Sequence, residues 1–179
     1  MKLYFARHGQ TNSNANIASN QPFAVNDEPL NESGVQQATE LAEQLKNVGF
    51  DIIISSPFKR AVQTAEIVNK HHNLAINIDD TWREIQTNGY VDINTWNDLF
   101  DFDKKASVEN TESLTSFFKR IYKGIDELVA KGEKETVLVV SHGGVQHALY
   151  AYANKLALTG DIRISPMKNC EYRIYQLHK

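Results

Sequence analysis

At 179 residues, 41% of them hydrophobic and 23% charged, the chain has the size and composition of a water-soluble globular domain with one well-buried core. A formal net charge of −3 argues against a broad cationic surface for nucleic acid or anionic membrane, while leaving room for one cationic cleft. The single cysteine, Cys170, excludes an intrachain disulfide and a cysteine-rich zinc site.

The first element is the apolar run Leu3–Ala6, read as a strand covered on both faces. Arg7 and His8 interrupt it too early for a signal peptide, and no run approaches the roughly 20 apolar residues a membrane span needs. A cytoplasmic location is therefore expected. The strand leads into Arg7-His8-Gly9-Gln10-Thr11, where Gly9 allows close backbone approach and Thr11 and Asn14 add polar groups. A guanidinium beside His8 disfavours the imidazolium and keeps the ring nucleophilic, and it also suits phosphate. The polar stretch from Asn16 to Pro29 reads as loop.

Val35, Ala38, Leu41, Ala42, Leu45 and Val48 form a helical stripe stopped by Gly49. Asp51–Ile54 reads as a second strand, followed by Ser55-Ser56-Pro57-Phe58-Lys59-Arg60 and a helix carrying Ala61, Val62, Ala65 and Val68. Arg60 falls in that helix's first turn, where side chain and helix dipole both favour an anion. Ile76–Ile78 precedes a polar turn at Asp79 and Asp80. From Gln86 to Asn110 aromatic residues mix with acids, as in a lid or an irregular helical insertion.

The most regular stripe is Leu114, Phe117, Phe118, Ile121, Ile125, Leu128 and Val129, ending near Gly132, with Thr111 at the N-cap position and Glu112 in the first turn. Val137–Val140 is another buried strand, and Ser141-His142-Gly143-Gly144 joins it to a helix over 145–154. The glycines there free backbone amides to face an oxyanion. Tyr172–Leu177 alternates as a last, edge strand. The order of strands and helices predicts a three-layer α/β/α fold with a mostly parallel central sheet, in one domain over 1–179. Three anion-suited junctions would then open at the carboxyl ends of its strands.

The segments Leu3–Asn14, Leu30–Ala38, Ser55–Ala65 and Val137–Gly144, with Asn169 before the last strand, resemble the histidine phosphatase superfamily, in its phosphoglycerate mutase-like branch. The resemblance implies a phosphoglycerate mutase-like fold and a phosphatase that hydrolyses phosphomonoesters through a phosphohistidine, with no metal or other cofactor. It implies His8 as the nucleophile, with Arg7, Arg60 and His142 lining the phosphate pocket and Asn14 and the Gly143 amide as further donors. His142 would be a protonated or a hydrogen-bonding contact.

The resemblance makes Glu84, in Thr81-Trp82-Arg83-Glu84-Ile85, the candidate proton donor and acceptor, with Asp79 and Asp80 as rivals. Many relatives continue with a glycine, an aromatic and then Glu-Gly, where this chain has Gly89-Tyr90-Val91-Asp92. The partner implied is a small phosphorylated metabolite, with the oligomeric state open. A phosphoglycerate mutase using the same pocket is the alternative, set second because mutase relatives have longer chains. A phosphoprotein phosphatase and a non-catalytic phosphate-binding regulator are further readings. Phe23, Tyr90 and Trp96 are candidates for a wall around the leaving group, although packing is the commoner use of such residues.

Overall fold

Period-two burial in the central strands sets the layers. In β1 (Lys2–Arg7) Leu3 and Phe5 enter one apolar cluster while Tyr4 and Ala6 enter another on the opposite face. In β6 (Thr136–Ser141) Val137 and Val139 go one way and Leu138 and Val140 the other. Strands buried on both faces must be covered twice, which is why their sequences are continuous apolar runs.

The computed structural model describes residues 1–18, 23–24, 27–85, 90–91, 93–104, 112–132 and 134–178, with the backbone alone at 16–18, 23–24, 90–91 and 93–95. The main sheet also contains β3 (Ile52–Ser55), β4 (Ile76–Ile78) and β7 (Tyr172–Gln176), in the order β4-β3-β6-β1-β7. All pairings are parallel except that of β1 with the edge strand β7. Helices α2 (Glu32–Leu45) and α3 (Lys59–Asn69) cover one face through Leu41, Leu45, Ala61 and Ala65. Helices α5 (Leu114–Lys131) and α6 (Val145–Ala153) cover the other through residues such as Phe117, Ile121, Ala148 and Leu149. Each large aliphatic or aromatic side chain so buried contributes about 1.5–3 kcal/mol. The expected three-layer α/β/α fold with a mostly parallel sheet is the fold observed.

Several local expectations are corrected. The stretch read as loop begins inside α1 (Asn12–Ala18) and includes β2 (Phe23–Ala24), which pairs antiparallel with β5 (Tyr90–Val91). A short α4 (Ile93–Asp98) follows. The two regions that lack an apolar pattern thus pair with each other, through backbone bonds that no side-chain periodicity announces. The N-cap of α5 is Ser113, whose hydroxyl accepts from Ser116 N at 3.2 Å, while Thr111 lies outside the described residues. Glu112 therefore precedes the helix instead of entering its first turn. Val35, read into the α2 stripe, is exposed. Helix α2 ends at Leu45, before the Gly49 stop.

Candidate active site

Parallel pairing brings two of the expected junctions side by side. Arg7 is in register with Ser141, and the His8 amide donates to the Ser141 carbonyl at 2.9 Å. Ser55, at the end of β3, is in register with Val140, so the Ser56–Arg60 junction joins the same edge. The His8 and His142 ring centroids are 5.1 Å apart.

His8 is buried, and both ring nitrogens are engaged. Its Nε2 accepts from Arg60 Nε at 3.1 Å. A guanidinium has no acceptor, so Nε2 must carry the lone pair. The proton then sits on Nδ1, which donates to the Gly9 carbonyl at 2.7 Å. Burial holds the ring well below the usual histidine pKa, with Arg60 and then Arg7 adding to the effect. The neutrality expected from Arg7 alone thus comes first from desolvation. The His8 carbonyl accepts from Asn169 Nδ2 at 3.0 Å and from Cys170 N at 3.3 Å.

Around this ring, Gly9 N donates to Thr64 Oγ1 at 3.0 Å, and a Cβ on Gly9 would lie 2.5 Å from the Gly34 carbonyl oxygen. Only glycine fits where the β1 loop crosses the start of α2. Asn14 uses its Oδ1 twice, accepting from Thr11 N at 3.2 Å and from Asn169 Nδ2 at 3.1 Å. Its Nδ2 is thereby left as the donor end of the amide.

Arg7 Nη1 donates to the Met167 carbonyl, while its Nε is buried without a hydrogen-bond partner among the described residues. Gly143 abuts this guanidinium, a Cβ there falling 3.7 Å from Arg7 Nε. Arg60 is buried and stacks over the Phe58 ring at 4.7 Å. Burial lowers the Arg60 pKa to about 10, against the raising effect of Glu84, so the side chain remains cationic at neutral pH. His142 Nε2 lies 2.7 Å from Ser56 Oγ, and its buried Nδ1 has no partner among the described residues. Burial, then Arg60, His8 and Arg7, holds His142 well below the usual pKa, which favours its hydrogen-bonding role over the protonated one.

Glu84 reaches the same centre from the segment after β4. It is buried, and its Oε2 accepts from Gly144 N at 2.9 Å while Oε1 accepts from Ile85 N at 3.0 Å. The Gly144 amide expected to face an oxyanion therefore faces this carboxylate, at the start of α6 where the dipole suits it. Burial raises the Glu84 pKa; the two amides, Arg60 and Arg7 oppose it. Its rivals are employed elsewhere. Asp79 caps the 3-10 turn at Asp80–Trp82 through Thr81 N at 2.8 Å, and exposed Asp80 pairs with Arg83 at 3.0 Å.

Sequence reasoning did not single out Ser56, Thr64 or Met167, which act through a hydroxyl or a backbone carbonyl, groups too common to flag a role. Asn169 was marked by the resemblance alone, and its contact with His8 is backbone-directed. The side chains of Phe23 and Tyr90 lie outside the described residues, as does much of the departing 86–92 segment. Trp96 packs edge-on against Phe100 with centroids 5.7 Å apart, at the margin of the core. Among the described residues, no group of three or more histidine, cysteine or carboxylate side chains is arranged to hold a metal ion.

Comparison with known proteins meets this geometry. A family model for the histidine phosphatase superfamily (branch 1) matches residues 3–179. An uncharacterized phosphatase, PhoE, of Bacillus subtilis is 34% identical over 146 residues, covering 80% of this chain and 72% of that protein. The probable phosphoglycerate mutase GpmB of Proteus mirabilis is 27% identical, covering 95% and 82% respectively. Among solved structures, a mycobacterial glucosyl-3-phosphoglycerate phosphatase complexed with VO3 superimposes with a TM-score of 0.82 at 25% identity, covering 97% of this chain and 91% of that one.

Proposed function

The chain belongs to branch 1 of the histidine phosphatase superfamily, and from that premise we propose that it is a metal-independent phosphatase acting on small phosphorylated metabolites through a phosphohistidine on His8. The observation that carries this reading is the state of His8: buried, neutral, its proton fixed on Nδ1 and its lone pair on Nε2 beside a guanidinium. That is the protonation state nucleophilic catalysis requires.

A phosphoryl group entering between Arg7 and Arg60 takes over the Arg60 Nε–H that now occupies the lone pair. Two guanidinium groups then face the phosphoryl oxygens, joined by Asn14 Nδ2, the Gly143 amide and His142. Such charge placement is where phosphoryl transfer needs help. Nε2 forms the N–P bond as the ester P–O bond breaks, and the raised pKa of Glu84 suits it to give its proton to the leaving alkoxide. The resulting carboxylate then takes a proton from water, whose oxygen attacks phosphorus, cleaves the N–P bond and releases phosphate. Residues 1–179 act in this reading as a single domain of a cytoplasmic enzyme.

The test is to quench the enzyme during turnover of a labelled phosphomonoester. An acid-labile, base-stable phosphoenzyme is expected, absent in His8→Ala, with turnover unchanged by a chelator. Full activity in His8→Ala, or dependence on an added divalent metal, overturns the mechanism. The GpmB likeness favours one second reading, a mutase that returns the phosphoryl group to its product. Isomerisation of 2- or 3-phosphoglycerate, as against release of phosphate, separates the two.

A further inference from the structure

The Glu84 carboxylate follows the 3-10 turn Asp80–Trp82, which the chain leaves through Arg83 at φ −67 and ψ 148. The Asp80 carbonyl accepts from Arg83 N at 3.2 Å, while the carbonyls that follow need partners from outside the turn. Arg120, on α5, supplies two of them. Its Nη1 donates to the Thr81 carbonyl at 2.6 Å and to the Arg83 carbonyl at 3.0 Å. The other edge of the guanidinium binds Glu112 in a bidentate pair, with Nε to Oε1 at 2.9 Å and Nη2 to Oε2. Both side chains of that pair are mostly buried. The guanidinium also lies over the Phe117 ring at 5.2 Å.

We propose that Arg120, locked by Glu112, is a positioning residue that sets the direction in which Glu84 presents its carboxyl to the leaving oxygen. Arg83 immediately precedes Glu84, so a bond to the Arg83 carbonyl fixes the plane of the peptide from which Glu84 projects. Glu112 offsets the guanidinium's charge, and what reaches Glu84 is therefore geometry. The packing around the turn agrees: Gly124, one turn further along α5, lets Thr81 approach so closely that a Cβ would fall 2.4 Å from Thr81 Cγ2. From the far side Ser141 Oγ donates to the Trp82 carbonyl at 2.6 Å. Lysine cannot reproduce the fork, because its ammonium is a point donor.

The proposal rests on Glu84 as proton donor, and its experiment separates the two claims. Phosphate release is measured on a simple alkyl phosphate, whose leaving oxygen needs a proton, and on p-nitrophenyl phosphate, whose leaving group is stable as an anion near neutrality. Glu84→Gln is expected to lose about 10²-fold or more in kcat/KM, which reports formation of the phosphoenzyme and not the water step shared by both substrates, on the alkyl ester and far less on the aryl ester. Arg120→Ala is expected to show the same selective loss, and Arg120→Lys a smaller selective one. Because lysine retains charge and stem, it carries the test if the alanine variant does not fold. Equal losses on both esters in the Arg120 variants, or no loss, overturn the positioning role while Glu84→Gln remains selective. Equal losses in Glu84→Gln overturn the donor reading, and the role of Arg120 with it.

Discussion

His8 stands one residue beyond a central strand, and the backbone around it is held by backbone and amide donors: its own N–H bonds to Ser141, and its carbonyl takes Asn169 and Cys170. Glu84 stands two residues beyond a 3-10 turn that follows the edge strand β4, and its segment is held by side chains, Arg120 on one side and Ser141 Oγ on the other. Sheet register thus places the proposed nucleophile, while side-chain clamps place the proposed acid. A register cannot shift by part of a residue, whereas a clamp can slacken gradually. Damage on the two sides should therefore look different.

The largest effect is expected at His8 itself. His8→Ala should cost on the order of 10⁴-fold or more in turnover, because removing a covalent nucleophile removes the pathway. The loss should be equally severe on alkyl and aryl esters, in contrast to the selective loss proposed for Glu84 and Arg120. Measuring both esters with His8→Ala and Glu84→Gln checks the contrast, and a His8 variant that retained aryl ester turnover would break it.

Next come two glycines, one on each side. A Cβ on Gly144 would fall 2.1 Å from Glu84 Oε1 and 2.8 Å from Phe100 Cζ. A carboxylate at the end of a flexible side chain can yield, so Gly144→Ala should spare the fold and displace the acid, lowering kcat on the alkyl ester by about 10²-fold. On the other side, the Cβ of Gly9→Ala meets the Gly34 backbone carbonyl at 2.5 Å, which cannot rotate away. That variant should lose about 1–3 kcal/mol of stability, read as a lower urea midpoint at unchanged slope. Should Gly144→Ala prove the less stable of the two, the division between clamp and register fails.

The same division explains what could be read from the sequence. Arg7, His8, Arg60 and His142 each follow or open an element whose apolar pattern is plain, and parallel pairing then leaves little choice about where they meet. Glu84 follows a short edge strand and a turn, with no periodic signal, and the family resemblance alone pointed to it. Its main holders are an amide, Gly144 N, and an arginine that bonds carbonyls, and carbonyls and amides belong to every residue. The β2–β5 pairing escaped for the same reason, since strands of two residues are too short to show a period and bond through backbone. Thr111 and Ser113 are both N-cap residue types, and the N-cap of α5 is Ser113.

The smallest expected effect, and the one that separates the two sides by sign, is the dependence of stability on pH. His8 and His142 are held below the usual histidine pKa of 6.5 in the folded protein, so below that pH the unfolded chain binds more protons. Their contribution to stability is complete above pH 6.5 and is lost as the pH falls toward their folded values. His147, lowered to about 4 chiefly by burial beside Phe100, acts in the same direction and accounts for roughly 2 kcal/mol between pH 8 and pH 5. Glu84 runs the other way. Its folded pKa is raised above 4.5, so the folded state holds the extra proton and stability declines as the pH climbs from 4.5 through the folded value. Urea midpoints from pH 4.5 to 8 should accordingly show Glu84→Gln drifting upward relative to the parent as pH rises, then levelling off. His142→Asn should instead lose less stability than the parent on acidification. Parallel curves for the parent and Glu84→Gln would mean that the carboxyl keeps its ordinary pKa despite its burial, and a general acid near neutrality would then have to be sought elsewhere.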